Sequence, residues 1–185
     1  MNYIKSYLLF KESLSTQIRY HSSKLPIEGR VDGNKIYPTQ LKNRKSDEQE
    51  KDWTKPIGFW YGFGESWINH AKTEMEGTDF AFQKNPYHYE VHLKPNAKIL
   101  VLDTRQKVDD FIAQYGTIEY INWSNFVSTG YQDIEFPNYD DLDLRILKPK
   151  KYFWLYSWDV NSGCVWVPEA IDYLVDVSQE VIDNK

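Results

Sequence analysis

Between Gly58 and Gly64 the chain reads GFWYGFG, glycines interleaved with bulky aromatics, and the polar ESWINH follows at once. Aromatics favour strands and offer flat faces, while Gly keeps the backbone approachable. The segment therefore suits a cleft wall on which a flat ligand stacks. A buried hairpin whose glycines only turn the chain fits the same residues. A second stretch with chemical potential is IRYHS, Ile18 to Ser22. As a strand it sets Arg19 and His21 on one face, a guanidinium suited to phosphate beside an imidazole that titrates near neutral pH. His88, Glu90 and His92 alternate in YHYEVHL. Ligands at such spacing on a strand spread over about 13 Å, too far for one ion, so a solvated face is expected here and no metal. Cys164 stands between Gly163 and Val165 as the single cysteine. A nucleophilic Cys needs a positioned base and a lowered pKa, so a small buried residue is the simpler reading.

These groups must be positioned by the elements around them. Tyr3, Ile4, Tyr7, Leu8 and Leu14 recur near the helical period, predicting a short helix over 2–17. Residues 25–55 are polar and broken by Pro26, Gly29, Gly33 and Pro38. They read as a long mobile loop, a candidate lid, with one short exposed helix. A strand follows over Gly58 to Gly62 and a helix over Glu65 to Glu76, with Trp67 and Ala71 on one face. Tyr87 to Leu93 alternates as a half-buried strand with Tyr87, Tyr89, Val91 and Leu93 inward. AKILVLDT predicts a buried strand, Arg105 to Tyr115 a helix burying Val108, Phe111, Ile112 and Tyr115, and Ile118 to Ser128 helical spacing closed by Gly130. Beyond a short strand around Ile134, the aromatic run YFWLYSW (152–158) predicts a strand. So does Cys164 to Val167, closed by Pro168, and the C-terminal residues predict a last strand or short helix.

Composition narrows the class. With 185 residues, 41% hydrophobic and 16% aromatic, the chain has apolar material for one core, so a single domain over 1–185 is expected. No apolar run approaches the roughly 20 residues of a membrane-spanning helix. MNYIKSYLLF lacks the pattern of a secretory signal, and one cysteine suits a reducing compartment, so a cytoplasmic address is expected. A net charge of −5 argues against gripping nucleic acid by bulk electrostatics. Lys42, Arg44 and Lys45 could form a local basic strip, although a solvated mixed-charge loop is the commoner outcome.

Taken in order, RYHSS, GFWYG, WSNFVSTGYQDIEF and SGCVWVPEAI resemble the ADP-ribosyltransferase superfamily over roughly residues 18 to 171. RYHSS is similar to the first-strand YHG or YHxS/T motif of its histidine-bearing branch, related to poly-ADP-ribose polymerase and diphtheria toxin. GFWYG is similar to the G-x-Y-F-A strand of that group. The resemblance implies an α+β fold, an ADP-ribosyltransferase-like split antiparallel β-sandwich with peripheral helices, binding NAD as substrate in a cleft between its sheets. It implies that His21 hydrogen-bonds the nicotinamide ribose and that Trp60 packs on the nicotinamide. Gly58 opens that strand, Tyr61 and Trp67 complete the slot, Ser22 orients the ribose, and Arg19 or Arg30 meets the pyrophosphate. In the family a glutamate heads the last of these strands, holding the ribose 2′-OH and stabilising the oxocarbenium-like charge. Ser162, Gly163 and Cys164 stand there in this chain, so the catalytic carboxylate falls to Glu169 or Asp159, with Glu169 taken as the candidate. The implied activity is NAD-dependent transfer of ADP-ribose to a macromolecular acceptor, protein or single-stranded nucleic acid, in a toxin, phage or defence effector. The alternative is a non-catalytic nucleotide- or ligand-binding module on a degenerate version of the same fold.

Overall fold

A computed structural model describes residues 18–51, 53–142 and 150–183, and the helix predicted over 2–17 lies outside them. The strands are β1 (Arg19–Ser23), β2 (Gly29–Asp32), β3 (Lys35–Pro38), β4 (Phe59–Phe63) and β5 (Tyr87–Leu93). After them come β6 (Ile99–Val101), β7 (Asp133–Phe136), β8 (Ser162–Val165) and β9 (Ile171–Asp176). They hydrogen-bond into one sheet in the order β2-β3-β9-β5-β1-β4-β8-β7-β6. Helices α1 (Ser66–Thr73), α2 (Arg105–Tyr115), α3 (Trp123–Ser128) and α4 (Ser178–Asp183) complete an α+β architecture. Among the described residues no helix is long and apolar enough to cross a membrane, and no group of three or more His, Cys, Asp or Glu could hold a metal ion.

Side-chain alternation divides the core between the faces of the sheet. Trp60 and Cys164 face a large cluster with Phe111, Trp123, Phe126 and Trp154 under α2 and α3, whereas Tyr61 and Val165 face a second cluster with Tyr89, Val91 and Leu174. Within α2 the predicted stripe of Val108, Phe111, Ile112 and Tyr115 is buried, and Thr104 caps the helix by accepting from the Lys107 amide.

The sheet is pinched in the middle. β1 and β4 share only the pairs Arg19↔Phe63 and Tyr20↔Gly62, although β1 continues along β5 to Ser23 and β4 continues along β8 to Phe59. Past Tyr20 and Gly62 the two strands part, which opens a seam.

Four expectations are corrected. The predicted loop over 25–55 contains a β-hairpin, β2 and β3, turning at Gly33 and Asn34, with Gly33 at φ 59 where Gly carries no steric cost. YFWLYSW is not a strand: Lys150–Ser157 is a 3₁₀ helix that buries Tyr152, Trp154 and Leu155, with Trp158 following. Phe153 and Tyr156 are exposed instead, a period near three with no β-branched residue to favour a strand. AKILVLDT contributes only the three-residue β6, at the edge of the sheet, and it pairs parallel with β7. Finally, His88 is not solvated. It is fully buried, stacked on Phe82 with centroids 5.0 Å apart, and its Nδ1 meets Ser22 Oγ at 2.9 Å.

Candidate functional site

The seam determines what His21 does. Where the β1–β4 ladder ends, the His21 ring reaches across to the Trp60 carbonyl. Its Nδ1 lies 2.7 Å from Trp60 O and its ring stacks on Phe59 at 4.1 Å. Because a carbonyl only accepts, Nδ1 carries the proton and Nε2 of the neutral ring is an acceptor. Burial lowers the His21 pKa from 6.5 to about 4, and the nearby His88 pushes the same way against the Trp60 bond. The imidazole is therefore neutral at pH 7, able to accept from a ligand hydroxyl.

This shift has a consequence for stability. An unfolded chain takes up the His21 proton near pH 6.5 and the folded chain only near pH 4, so the contribution is complete above the first value and lost as pH falls towards the second. The loss amounts to about 1–3 kcal/mol, reduced from the full linkage value because one edge of the ring borders the cleft. Urea unfolding at pH 7 and pH 4.5 measures it. His21→Gln is expected to flatten this part of the profile, and an unchanged slope would refute the assignment.

The seam widens into a cleft of about 390 Å³. Tyr20, His21 and Ser22 come to it from β1, Trp60, Tyr61 and Gly62 from β4, Trp67 from α1, and Asp159 and Ser162 from the approach to β8. Trp60 presents its edge to Trp158 at 4.8 Å, while Lys55 Nζ sits 4.9 Å from its ring centroid. Gly62 is needed where α1 crosses the strand: a Cβ there would come within 2.7 Å of Trp67 Cβ. Asp159 Oδ2 lies 3.7 Å from Lys55 Nζ.

His21, Ser22, Trp60, Tyr61, Trp67 and Asp159, singled out in the sequence, thus meet in one cleft. Other candidates are placed elsewhere. Glu169 is exposed on the 3₁₀ turn Pro168–Ala170, beyond the Val165 end of β8. At 3.3 Å per residue that end is about 10 Å from Ser162, so Asp159 and not Glu169 is the carboxylate at the cleft. Arg30 lies in the hairpin, its guanidinium 4.2 Å from the Tyr37 ring. Gly58 is backed against β8, where a Cβ would come within 2.5 Å of the Val165 carbonyl oxygen. Burial pushes the Cys164 thiol well above its ordinary pKa, so it is no nucleophile.

Arg19 also departs from its expected role. Its Nε donates to Glu135 Oε1 at 2.8 Å, and its guanidinium rests against the rings of Phe63 and Tyr61. Tyr61 reaches into the same cluster, its hydroxyl 2.5 Å from Asp133 Oδ2 and 2.7 Å from Glu135 Oε1. One phenol proton cannot serve two ionised carboxylates. Burial and the charge of Glu135 raise the Asp133 pKa well above the usual carboxylate range. A protonated Asp133 then donates to the Tyr61 oxygen, Tyr61 donates to Glu135, and Arg19 balances the remaining charge. Burial lowers the Arg19 pKa more than any other single cause, but the acidic groups around it, Glu135 foremost, together outweigh it and the net shift is upward. Gly163 makes room for this link, since a Cβ on it would lie 2.5 Å from the Tyr61 hydroxyl oxygen. In the sequence the only sign of the cluster is the inward alternation of Asp133 and Glu135 within DIEF, which by itself reads as a polar face.

No protein-family model, no curated protein and no solved structure matches this chain.

Proposed function

We propose that the chain is an NAD-dependent ADP-ribosyltransferase with its reaction centre in the β1–β4 seam. The observation that carries this reading is the convergence of His21, Trp60 and Asp159, from three distant stretches, on one cleft. A volume of about 390 Å³ lies within the usual range of ligand pockets and suits the nicotinamide riboside end of NAD. Nicotinamide stacks on Trp60, a ribose hydroxyl donates to His21 Nε2, and the Asp159 carboxylate faces the positive charge that develops at the anomeric carbon. The bond from C1′ to the nicotinamide nitrogen breaks, with its electron pair leaving on the ring. A bond from C1′ to the acceptor forms, and the acceptor's proton passes to Asp159 or water.

On this reading the pinch between β1 and β4 is the split of an ADP-ribosyltransferase-like sandwich. The acceptor is a protein or a single-stranded nucleic acid, the setting is a toxin, phage or defence effector, and the compartment is the cytoplasm. A second reading, a ligand-binding module without catalysis, is favoured by one feature. Ser162 heads β8, and the carboxylate at the cleft, Asp159, is engaged by Lys55. NAD titration with nicotinamide release recorded in parallel separates the two. Saturable binding with release is the expected result, binding without release selects the module, and absence of NAD binding overturns the transferase reading.

A further inference from the structure

Lys55 has no part in the reaction described above, yet it lines the cleft with its ammonium close to both Trp60 and Asp159. It lies 4.9 Å from the Trp60 ring centroid and 3.7 Å from Asp159 Oδ2. An aromatic face with a carboxylate beside it is the arrangement that selects an organic cation over a neutral ring of the same shape, because the ring quadrupole and the anion attract the same charge. The backbone around Lys55 is held independently of that contact. The Gln49 side chain clamps Ile57 twice, Nε2 donating to its carbonyl and Oε1 accepting from its amide, both at 2.8 Å. The lysine side chain can therefore swing out while its loop stays closed. Burial already lowers the Lys55 pKa, against the pull of Asp159, so the ammonium is imperfectly solvated where it sits.

We propose that the slot between Trp60 and Asp159 is a seat for an aromatic cation, a pyridinium, and that Lys55 is its intramolecular occupant, displaced when ligand enters. The inference deepens the reading given above and rests on it for the identity of the natural ligand. NAD carries a pyridinium and NADH a neutral dihydropyridine, so the seat discriminates the oxidised from the reduced dinucleotide, and Lys55 sets the threshold concentration at which NAD enters.

Calorimetric titration of the full chain and of Lys55→Met with 1-methylnicotinamide, nicotinamide, NAD and NADH tests this. The unsubstituted chain is expected to bind the cations 1-methylnicotinamide and NAD about tenfold more tightly than the neutral nicotinamide and NADH respectively, and Lys55→Met is expected to raise the affinity for all four by a common factor of about tenfold, because each must displace the same side chain. Asp159→Asn is expected to erase the preference for cation over neutral ring. Equal affinities for cation and neutral ring, or no gain in Lys55→Met, overturn the seat. If NAD and NADH bind alike, the seat falls while NAD binding stands. If 1-methylnicotinamide binds with the stated preference and NAD does not bind, the seat stands and the NAD reading falls. Absence of binding by every probe removes both.

Discussion

Replacing Arg19 with Met is expected to destabilise the fold by about 3–5 kcal/mol, the usual cost of leaving one charge of a buried pair unpaired. Glu135 keeps only 5% of its side-chain surface exposed and accepts from both Arg19 and Tyr61. Without the guanidinium it must stay charged among apolar neighbours or take up a proton, and its neighbour Asp133 already holds one. Methionine preserves most of the packing on Phe63 and Tyr61, so the loss reports the charge. The double variant Arg19→Met, Glu135→Gln is expected to recover at least half of it, because an amide can still accept from Tyr61. Chemical unfolding of the single and double variants measures both steps. A cost for the single variant under about 1 kcal/mol would show that the pair is not energetically buried. The same protein, held below its unfolding transition, also separates the structural role of Arg19 from the pyrophosphate role that the resemblance implies for it. NAD affinity is expected to change less than about threefold, whereas loss of one charge-assisted phosphate contact would cost about tenfold or more.

Asp159→Asn is expected to lower the rate of nicotinamide release about 10²–10³-fold, equivalent to about 2.7–4 kcal/mol of transition-state stabilisation, the range typical when one electrostatic partner of a developing charge is removed. The amide is isosteric, and Asp159 is part-exposed with Lys55 as its ion-pair partner, so folding stability is expected to move by under about 1 kcal/mol. Glu169→Gln serves as the comparison, because its side chain is exposed on the turn after β8. It is expected to leave the rate within about twofold. Steady-state rates of nicotinamide release for the two variants decide the matter. The reverse ranking would return the catalytic carboxylate to Glu169 and require the Pro168–Ala170 turn to fold back over the cleft. Comparable rates for both variants and the unsubstituted chain would leave the chemistry without a carboxylate and favour the binding-module reading.

What the sequence determined by itself is what depends on near neighbours. The strand Tyr87–Leu93 and the helix Arg105–Tyr115 occur with the bounds that their two-residue and 3.6-residue patterns dictate, since the period of burial follows from backbone geometry alone. The aromatic-glycine stretch likewise forms the strand Phe59–Phe63, and the turn at Gly33 and Asn34 was legible as a hairpin signal that its charged flanks obscured. YFWLYSW misled because aromatics fit a strand or a tight helix equally well until the surface they must cover is known. Only the tertiary structure decided the partners. Arg19 and His21 share a strand face, yet Arg19 turns to Glu135, 116 residues away, and His21 closes on the Trp60 carbonyl. The choice between Asp159 and Glu169 depends on the register that sets Ser162 opposite Gly62 and Val165 opposite Phe59. Register and partner choice are settled by long-range pairing and by the balance of buried charge. Neither leaves a periodic trace in the chain, because each is a property of two segments brought together and not of either one alone.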